Sequence, residues 1–101
     1  MQFLYRLLPI RIEMVTIGST PEEEAIVDEH FAYLEALTGR GVMILVGRTQ
    51  NNDEDTFGVV IFQADSEEQA QQIMNDDPAV KKGIMRAKLY PFRVALTGDL
   101  S

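Results

Sequence analysis

The sequence contains no cysteine and only one histidine, and both scarcities exclude kinds of chemistry. Without cysteine the chain has no disulfide, no thiolate metal ligand and no cysteine nucleophile, which fits a reducing compartment. A single histidine makes a zinc site unexpected. The glycine motifs that hold nucleotide phosphates are also missing. We therefore predict a cytoplasmic protein that uses no metal and no cofactor.

Positive charge is also scarce. The chain has 9 Lys and Arg against 16 Asp and Glu, a formal net charge of −7, and its densest basic cluster is Lys81-Lys82. Nucleic acids and anionic membrane surfaces are bound by concentrated positive charge, so we predict neither as a partner. No apolar run approaches the ~20 residues that span a bilayer. The start of the sequence is typical of a strand rather than of a signal peptide.

The first helix is marked by local signals at both of its ends. Thr20 can cap it, Pro21 suits its first position, and Glu23 lies three residues after the cap, as in a capping box. Glycines on either side of Arg40 predict that the helix stops after about Thr38.

Hydrophobic patterning predicts the element order βαββαβ. The predicted elements are a strand over 3–11, the helix over about 21–38, strands over 42–46 and 57–64, a helix that Asp65 or Ser66 caps and that ends near 75–77, and a strand over 84–96. This order is typical of the ferredoxin-like α+β fold, a four-stranded antiparallel sheet with two helices on one face. Pro91 must then lie at a sheet edge or a bulge. We predict one domain over 1–96 and a flexible tail over 97–101.

The apolar run that begins at Val42 predicts a partner. As a regular strand, Val42, Ile44 and Val46 would point to one face of the sheet, and Met43 and Leu45 to the other. Helices cover only one face, and large exposed apolar patches are uncommon on monomers. We therefore predict a homodimer that forms through the open sheet face.

His30 is the residue whose position most suggests chemistry. It lies on the stripe of the first helix that contains Val27, Leu34 and Leu37 and faces the sheet. An imidazole titrates near neutral pH and can therefore transfer protons there. A histidine in such a stripe is also commonly a hydrogen-bonded core residue, and the helical spacing agrees with both interpretations.

A histidine that acts as a base needs a group that holds its other ring nitrogen, commonly a carboxylate. Asp77, at the end of the second helix, is the candidate, because the two helices lie side by side in this fold. Asp28, Asp65 and Asp76 compete for the role. Asp77 also precedes a proline, so it can equally be the residue that opens a turn.

Three arginines are candidates to meet an anionic ligand. Arg6 and Arg11 belong to the first predicted strand, and Arg48 follows the second. The planar guanidinium group binds carboxylates and phosphates through paired donors. For each of the three the alternative is a solvated surface side chain, and the sequence leaves that choice open.

Several short segments occur in a fixed order between residues 3 and 92. They are His30-Phe31-Ala32-Tyr33-Leu34, Gly41 and Gly47 around an apolar strand, Gly58, Phe62-Gln63-Ala64-Asp65-Ser66, Glu67-Glu68-Gln69-Ala70, Asp77-Pro78-Ala79-Val80 with Gly83, and Tyr90-Pro91-Phe92. Together they resemble the YCII-related family. The chain departs from the common pattern at Gly47-Arg48, where Gly-Pro is frequent, and at Ala79, where an aromatic residue is frequent. Both positions are expected near the pocket rim, so substrate class does not carry over.

The resemblance implies a dimeric α+β barrel, related in fold to muconolactone isomerase and to small monooxygenases. It also implies a His–Asp pair in a cleft, which falls here on His30 and Asp77. Most members of the family have no assigned reaction. One branch acts without a metal as a dehydrochlorinase on a chlorinated hydroxyhydroquinone.

Residues and resemblance together give three functional hypotheses. In the first, the chain is a cofactor-free enzyme in which His30 and Asp77 provide general acid–base catalysis on a small polar or aromatic metabolite, by isomerisation, elimination or hydrolysis. In the second, it is a non-catalytic protein that binds a small molecule or assists another protein, and the same pair is structural. In the third, it is a purely structural dimerisation module. The first requires contact between the two side chains beside a cavity.

Overall fold

The computed structural model describes residues 1–100, and Ser101 of the predicted tail lies outside them. The elements are β1 (Gln2–Pro9), α1 (Glu13–Thr16), α2 (Pro21–Gly39), β2 (Met43–Arg48), β3 (Gly58–Gln63), α3 (Glu67–Asp76), α4 (Pro78–Lys81) and β4 (Met85–Phe92). The strands form one antiparallel sheet in the order β2-β3-β1-β4. This is the predicted ferredoxin-like α+β fold. Pro91 lies on the edge strand β4, where its missing N–H interrupts no central ladder.

The core lies between the sheet and the two longer helices. Alternation along β1 turns Phe3, Tyr5 and Leu7 toward the helices, and all three are buried. The ring of Tyr5 meets Phe62 of β3 edge-on, with ring centroids 5.6 Å apart. Both helices contribute to the same cluster through Leu34, Leu37, Ala70 and Met74. Because α2 and α3 share this core, they cover the same face of the sheet.

Local hydrogen bonds fix both ends of α2. The hydroxyl of Thr20 accepts from the backbone N–H of Glu23, and the carboxylate of Glu23 accepts from the backbone N–H of Thr20, which confirms the predicted capping box. At the other end the N–H of Val42 donates to the carbonyl of Leu37, and Gly41 adopts a φ of 77°. Such a closing turn needs a left-handed residue, and glycine adopts this conformation without steric cost.

An ion pair anchors the segment between β1 and α2. Arg11 donates to the carboxylate of Glu23, with its Nε 3.0 Å from Oε2, and to the carbonyl of Gly18. The hydrogen bonds from Arg11, together with that from the backbone of Thr20, lower the pKa of Glu23 to about 2. The segment that contains α1 is therefore fixed against the start of α2, where it forms one wall of the cavity described below.

Three predicted strand limits and the number of helices are wrong. β2 continues to Arg48, two residues past its predicted end. β1 ends at Pro9, residues 10–12 form a turn, and α1 follows, whose Met14 is buried. The alternating isoleucines of this segment mimic a strand, which explains the error. β4 ends at Phe92 because that residue pairs with Gln2, where β1 begins, so the residues beyond it have no partner strand. α4 is a single turn, too short for periodicity to reveal.

The predicted alternation along β2 is also wrong, because a bulge interrupts it. Met43 pairs with Phe62 and Leu45 with Ile61, so Ile44 is an extra residue in the ladder. Residues that face each other across paired strands share a face. Val46, opposite the buried Val60, therefore lies on the helix side with Met43, while Leu45 lies on the other.

The sheet surface away from the helices, called the open face below, is mostly apolar. Its large apolar side chains, assigned from the strand registers, are Leu4, Leu8, Leu45, Val59, Ile61, Tyr90 and Phe92. Its charged residues are Arg6, Arg86 and Lys88, which cluster toward one end. No helix of the described residues covers this surface.

Candidate functional site

The structure brings the two predicted site residues into contact. Nδ1 of His30, in the middle of α2, lies 2.6 Å from Oδ1 of Asp77. The Asp77 side chain has no exposed surface, and that of His30 is 14% exposed. Among residues 1–100, none of the competing carboxylates pairs with His30. The contact agrees with the pair that the family resemblance implies, whereas the residues alone left four carboxylates as candidates.

Asp77 is placed by the break between α3 and α4. Its backbone is extended, with φ −60° and ψ 122°, as Pro78 requires of the residue before it. The same Oδ1 that contacts His30 accepts from the backbone N–H of Ala79, 3.0 Å away, and so caps α4. The turn-opening interpretation and the histidine-partner interpretation of Asp77 are therefore both true of the structure.

Tyr5 is a third member of this cluster, and sequence reasoning missed it. Its hydroxyl donates to Oδ2 of Asp77 at 2.8 Å, and the whole residue is buried. Burial, the charge of Asp77 and this hydrogen bond all raise the pKa of Tyr5, so it remains a protonated donor. A signal did exist: a tyrosine on the inward side of a strand, between Phe3 and Leu7, needs a buried partner for its hydroxyl.

The hydrogen-bond pattern fixes which nitrogen of His30 carries a proton when the ring is neutral. A carboxylate accepts but cannot donate, so Nδ1 donates to Asp77 and Nε2 keeps its lone pair. In residues 1–100 every buried side-chain nitrogen and oxygen has a partner. Since Nε2 makes no hydrogen bond to a described residue, it must be accessible to solvent. The basic nitrogen of His30 thus faces outward from the cluster.

Two contacts hold α2 against the second helical segment. The hydroxyl of Tyr33 donates to the carbonyl of Ile73 on α3 at 2.8 Å, and burial, followed by the charges of Asp76 and Asp77, raises the pKa of Tyr33 to about 12. At the surface, Nζ of Lys82 lies 2.6 Å from a carboxylate oxygen of Glu29. These contacts flank the His30–Asp77 pair. They hold α2 against α3 and against the end of α4.

His30 borders a cavity of about 410 Å³ between α1, α2 and the sheet. This volume is within the ~300–1,000 Å³ range of small-molecule sites. Most of the wall is apolar, including Leu7, Met14, Val27, Leu34, Val60 and Met85. The polar side chains at the wall are Ser19, His30, Arg48, Asn52 and Thr56. The arrangement suits a small, largely apolar molecule with a few polar groups.

Comparison with known proteins assigns the family. The model of the YCII-related domain matches residues 9–93. The chain belongs to the YCII-related family. No curated protein matches it. Among solved structures, the 5-chloro-2-hydroxyhydroquinone dehydrochlorinase of Burkholderia phenoliruptrix AC1100, in complex with 2,5-dihydroxybenzoquinone, has a TM-score of 0.67 and 22% identity, over 92% of this chain and 94% of that one. At this identity the likeness shows a common fold.

The structure separates the three candidate arginines of this YCII-related chain. The guanidinium of Arg11 forms an ion pair with Glu23. Arg6 lies on the open face, with its guanidinium 5.3 Å from the ring centroid of Phe57. Arg48 is the one that lines the cavity, although its side chain was no more conspicuous in the sequence than the others.

Two further structural findings concern metals and membranes. Within residues 1–100 of the YCII-related chain, no three His, Asp or Glu side chains group closely enough to hold a metal ion. In the same residues, none of the helices combines the length and the apolar character needed to cross a membrane. The predicted absence of a cofactor stays a prediction.

Proposed function

We propose that this YCII-related chain is an enzyme that needs no cofactor and uses His30 to transfer protons on a small polar or aromatic metabolite. The observation that carries the proposal is the 2.6 Å contact between His30 and a fully buried Asp77, beside an apolar cavity. A general base needs this combination of an oriented ring, an accessible nitrogen and a site that restricts water.

The contacts support a simple division of roles. A substrate in the cavity gives a proton to Nε2 of His30, and the Asp77 carboxylate stabilises the imidazolium that forms. Tyr5 and the backbone of Ala79 hold the carboxylate in place. The protonated ring then returns the proton to another substrate atom in an isomerisation. In an elimination, the leaving group departs with its electron pair and the ring later releases the proton to solvent.

Elimination from an aromatic or quinonoid compound has additional support. The similar Burkholderia structure is a dehydrochlorinase with 2,5-dihydroxybenzoquinone bound. A flat six-membered ring fits the volume here, because a cavity of about 150 Å³ already binds benzene and this one measures about 410 Å³. Isomerisation and hydrolysis use the same proton transfers and are the alternative reactions.

Proton exchange in D₂O tests the base without knowledge of the full reaction. We expect the protein to catalyse hydrogen–deuterium exchange in at least one member of a panel of hydroxyquinones, chlorinated hydroquinones and cyclic ketones, followed by proton NMR. His30→Gln should reduce exchange to the uncatalysed rate, because the amide cannot accept the proton. Asp28→Asn, at an exposed position of the same helix, is the matched control and should leave the rate unchanged.

The same panel separates the enzyme from its alternative. The largely apolar wall of the cavity also suits a protein that binds a small molecule without transforming it. Panel members that bind, as seen by NMR titration, but exchange equally fast with wild type and His30→Gln contradict a catalytic His30 and favour the binding protein.

We also infer that two copies pair through the open face. The apolar side chains there have no covering element among residues 1–100, and Leu45 is 46% exposed. Light scattering at micromolar concentration should give about twice the 11.4 kDa mass of the chain. Leu45→Glu should reduce the mass to that of one chain. Ile17→Glu, 83% exposed and off the sheet, should not. A single-chain mass for the wild type contradicts the pairing.

A further inference from the structure

The charge at the cavity wall is opposite in sign to the charge of the whole chain. The chain carries 16 Asp and Glu and a formal net charge of −7, yet none of these carboxylates is among the residues that line the cavity. Arg48 is the lining residue with a permanent charge. An acidic protein repels anions in general. A single cation at the wall of an apolar cavity therefore strongly affects whether an anionic ligand binds there.

Two hydrogen bonds orient the exposed guanidinium of Arg48. Its Nε donates to the carbonyl of Thr49 and one Nη to Oδ1 of Asn52, each at 3.0 Å. Arginine has five N–H donors, so three remain without a partner among the described residues. The ion pairs within residues 1–100 do not include Arg48. Its charge is therefore positioned at the cavity and not neutralised there.

An aromatic ring completes the character of the site. Phe31 lines the cavity and is 63% exposed, which places it at the solvent side. Flat rings stack on such a side chain. An anionic group attached to a ring is stable beside these apolar walls only if a fixed positive charge accompanies it.

We propose that Arg48 selects aromatic ligands that carry a negative charge, a carboxylate or a phenolate, and binds that charge while the ring occupies the apolar part of the cavity that His30 borders. The inference rests on the proposed function for its view of the cavity as a substrate site. It adds the substrate class: a small aromatic anion rather than a neutral metabolite.

Paired probes test this selection through binding alone. The charged probes are benzoate and 4-nitrophenolate, and their neutral counterparts are benzamide and 4-nitroanisole, titrated at low salt against ¹⁵N-labelled protein. We expect wild type to bind each anion about tenfold more tightly than its neutral partner, as a charge-assisted contact with a partly exposed arginine gives. A preference for only one of the two anions identifies which chemistry Arg48 binds.

Three variants assign the preference to Arg48. Arg48→Gln should bring the ratio of the two affinities close to one, and Arg48→Lys should retain part of it, because charge remains while the planar donor set is lost. Arg40→Gln removes the same charge at the exposed end of α2 and should leave the ratio unchanged. Both Arg48 and Arg40 are exposed, so none of these changes should impair folding.

The outcomes separate this proposal from the catalytic one. Failure of wild type to bind either anion, equal affinity for charged and neutral probes, or an unchanged ratio in Arg48→Gln overturns the role of Arg48. None of these results bears on proton exchange by His30. Conversely, a ratio that depends on Arg48 in a protein that catalyses no exchange leaves Arg48 as a ligand-binding residue and rejects the proposed enzyme.

Discussion

Asp77→Ala is expected to lower the free energy of unfolding by about 3 kcal/mol, a large part of the stability of a domain of this size. The substitution removes the carboxylate that accepts from the buried Tyr5 hydroxyl and that caps α4 by accepting from the backbone N–H of Ala79. An unpartnered buried hydroxyl costs about 1–3 kcal/mol and a lost cap about 1 kcal/mol. His30 loses its buried partner as well.

Urea unfolding at one fixed protein concentration measures this change, since pairing of two copies would make stability depend on concentration. Asp76→Ala is the matched control: it removes a carboxylate at the preceding, exposed position and should change stability by less than about 0.5 kcal/mol. A double-mutant cycle with Tyr5→Phe should show strong non-additivity, because both changes remove the same hydrogen bond. Equal effects of the two alanine substitutions would contradict the structural role of Asp77.

The features predicted best from the sequence are those with local signals. The capping box of Thr20 and Glu23 involves residues three apart, and the stripe that contains His30 follows from helical spacing. The fold class places the two helices side by side, which made Asp77, 47 positions from His30, one of four candidate partners. The resemblance to the YCII-related family, and not topology alone, singled out Asp77.

What could not be predicted depends on register and on distant packing. The bulge at Ile44 moves Val46 to the helix side, and no residue in the apolar run marks that position. Tyr5 and Asp77 are 72 positions apart in the sequence. Their contact depends on how β1 is positioned relative to the start of α4, which no local pattern indicates. Only the structure distinguishes Arg48 from the other candidate arginines, because it shows that Arg48 lines the cavity. The sequence thus indicates where a site is, while its polar partners depend on three-dimensional detail.

Asp77→Asn is expected to separate the structural contribution of Asp77 from its chemical one. Asparagine has the same shape and retains an oxygen that can accept from Ala79, so the loss of stability should be well below that of the alanine variant. It has no charge to stabilise a protonated His30, and its amide group must present donors either to Tyr5 or to His30. On the proposed role of His30, proton transfer should slow by about a hundredfold to a thousandfold.

The deuterium-exchange rate on a reactive panel member measures this loss, with benzamide binding as a check that the cavity is intact. A fall in the maximal rate at unchanged ligand affinity is the expected pattern, because charge at Asp77 matters when the ring is protonated and not when a neutral ligand binds. If the rate stays within about threefold of wild type, Asp77 acts only as the cap of α4 and the partner of Tyr5. The buried carboxylate would then have a structural role alone, and the orientation of His30 would not depend on its charge.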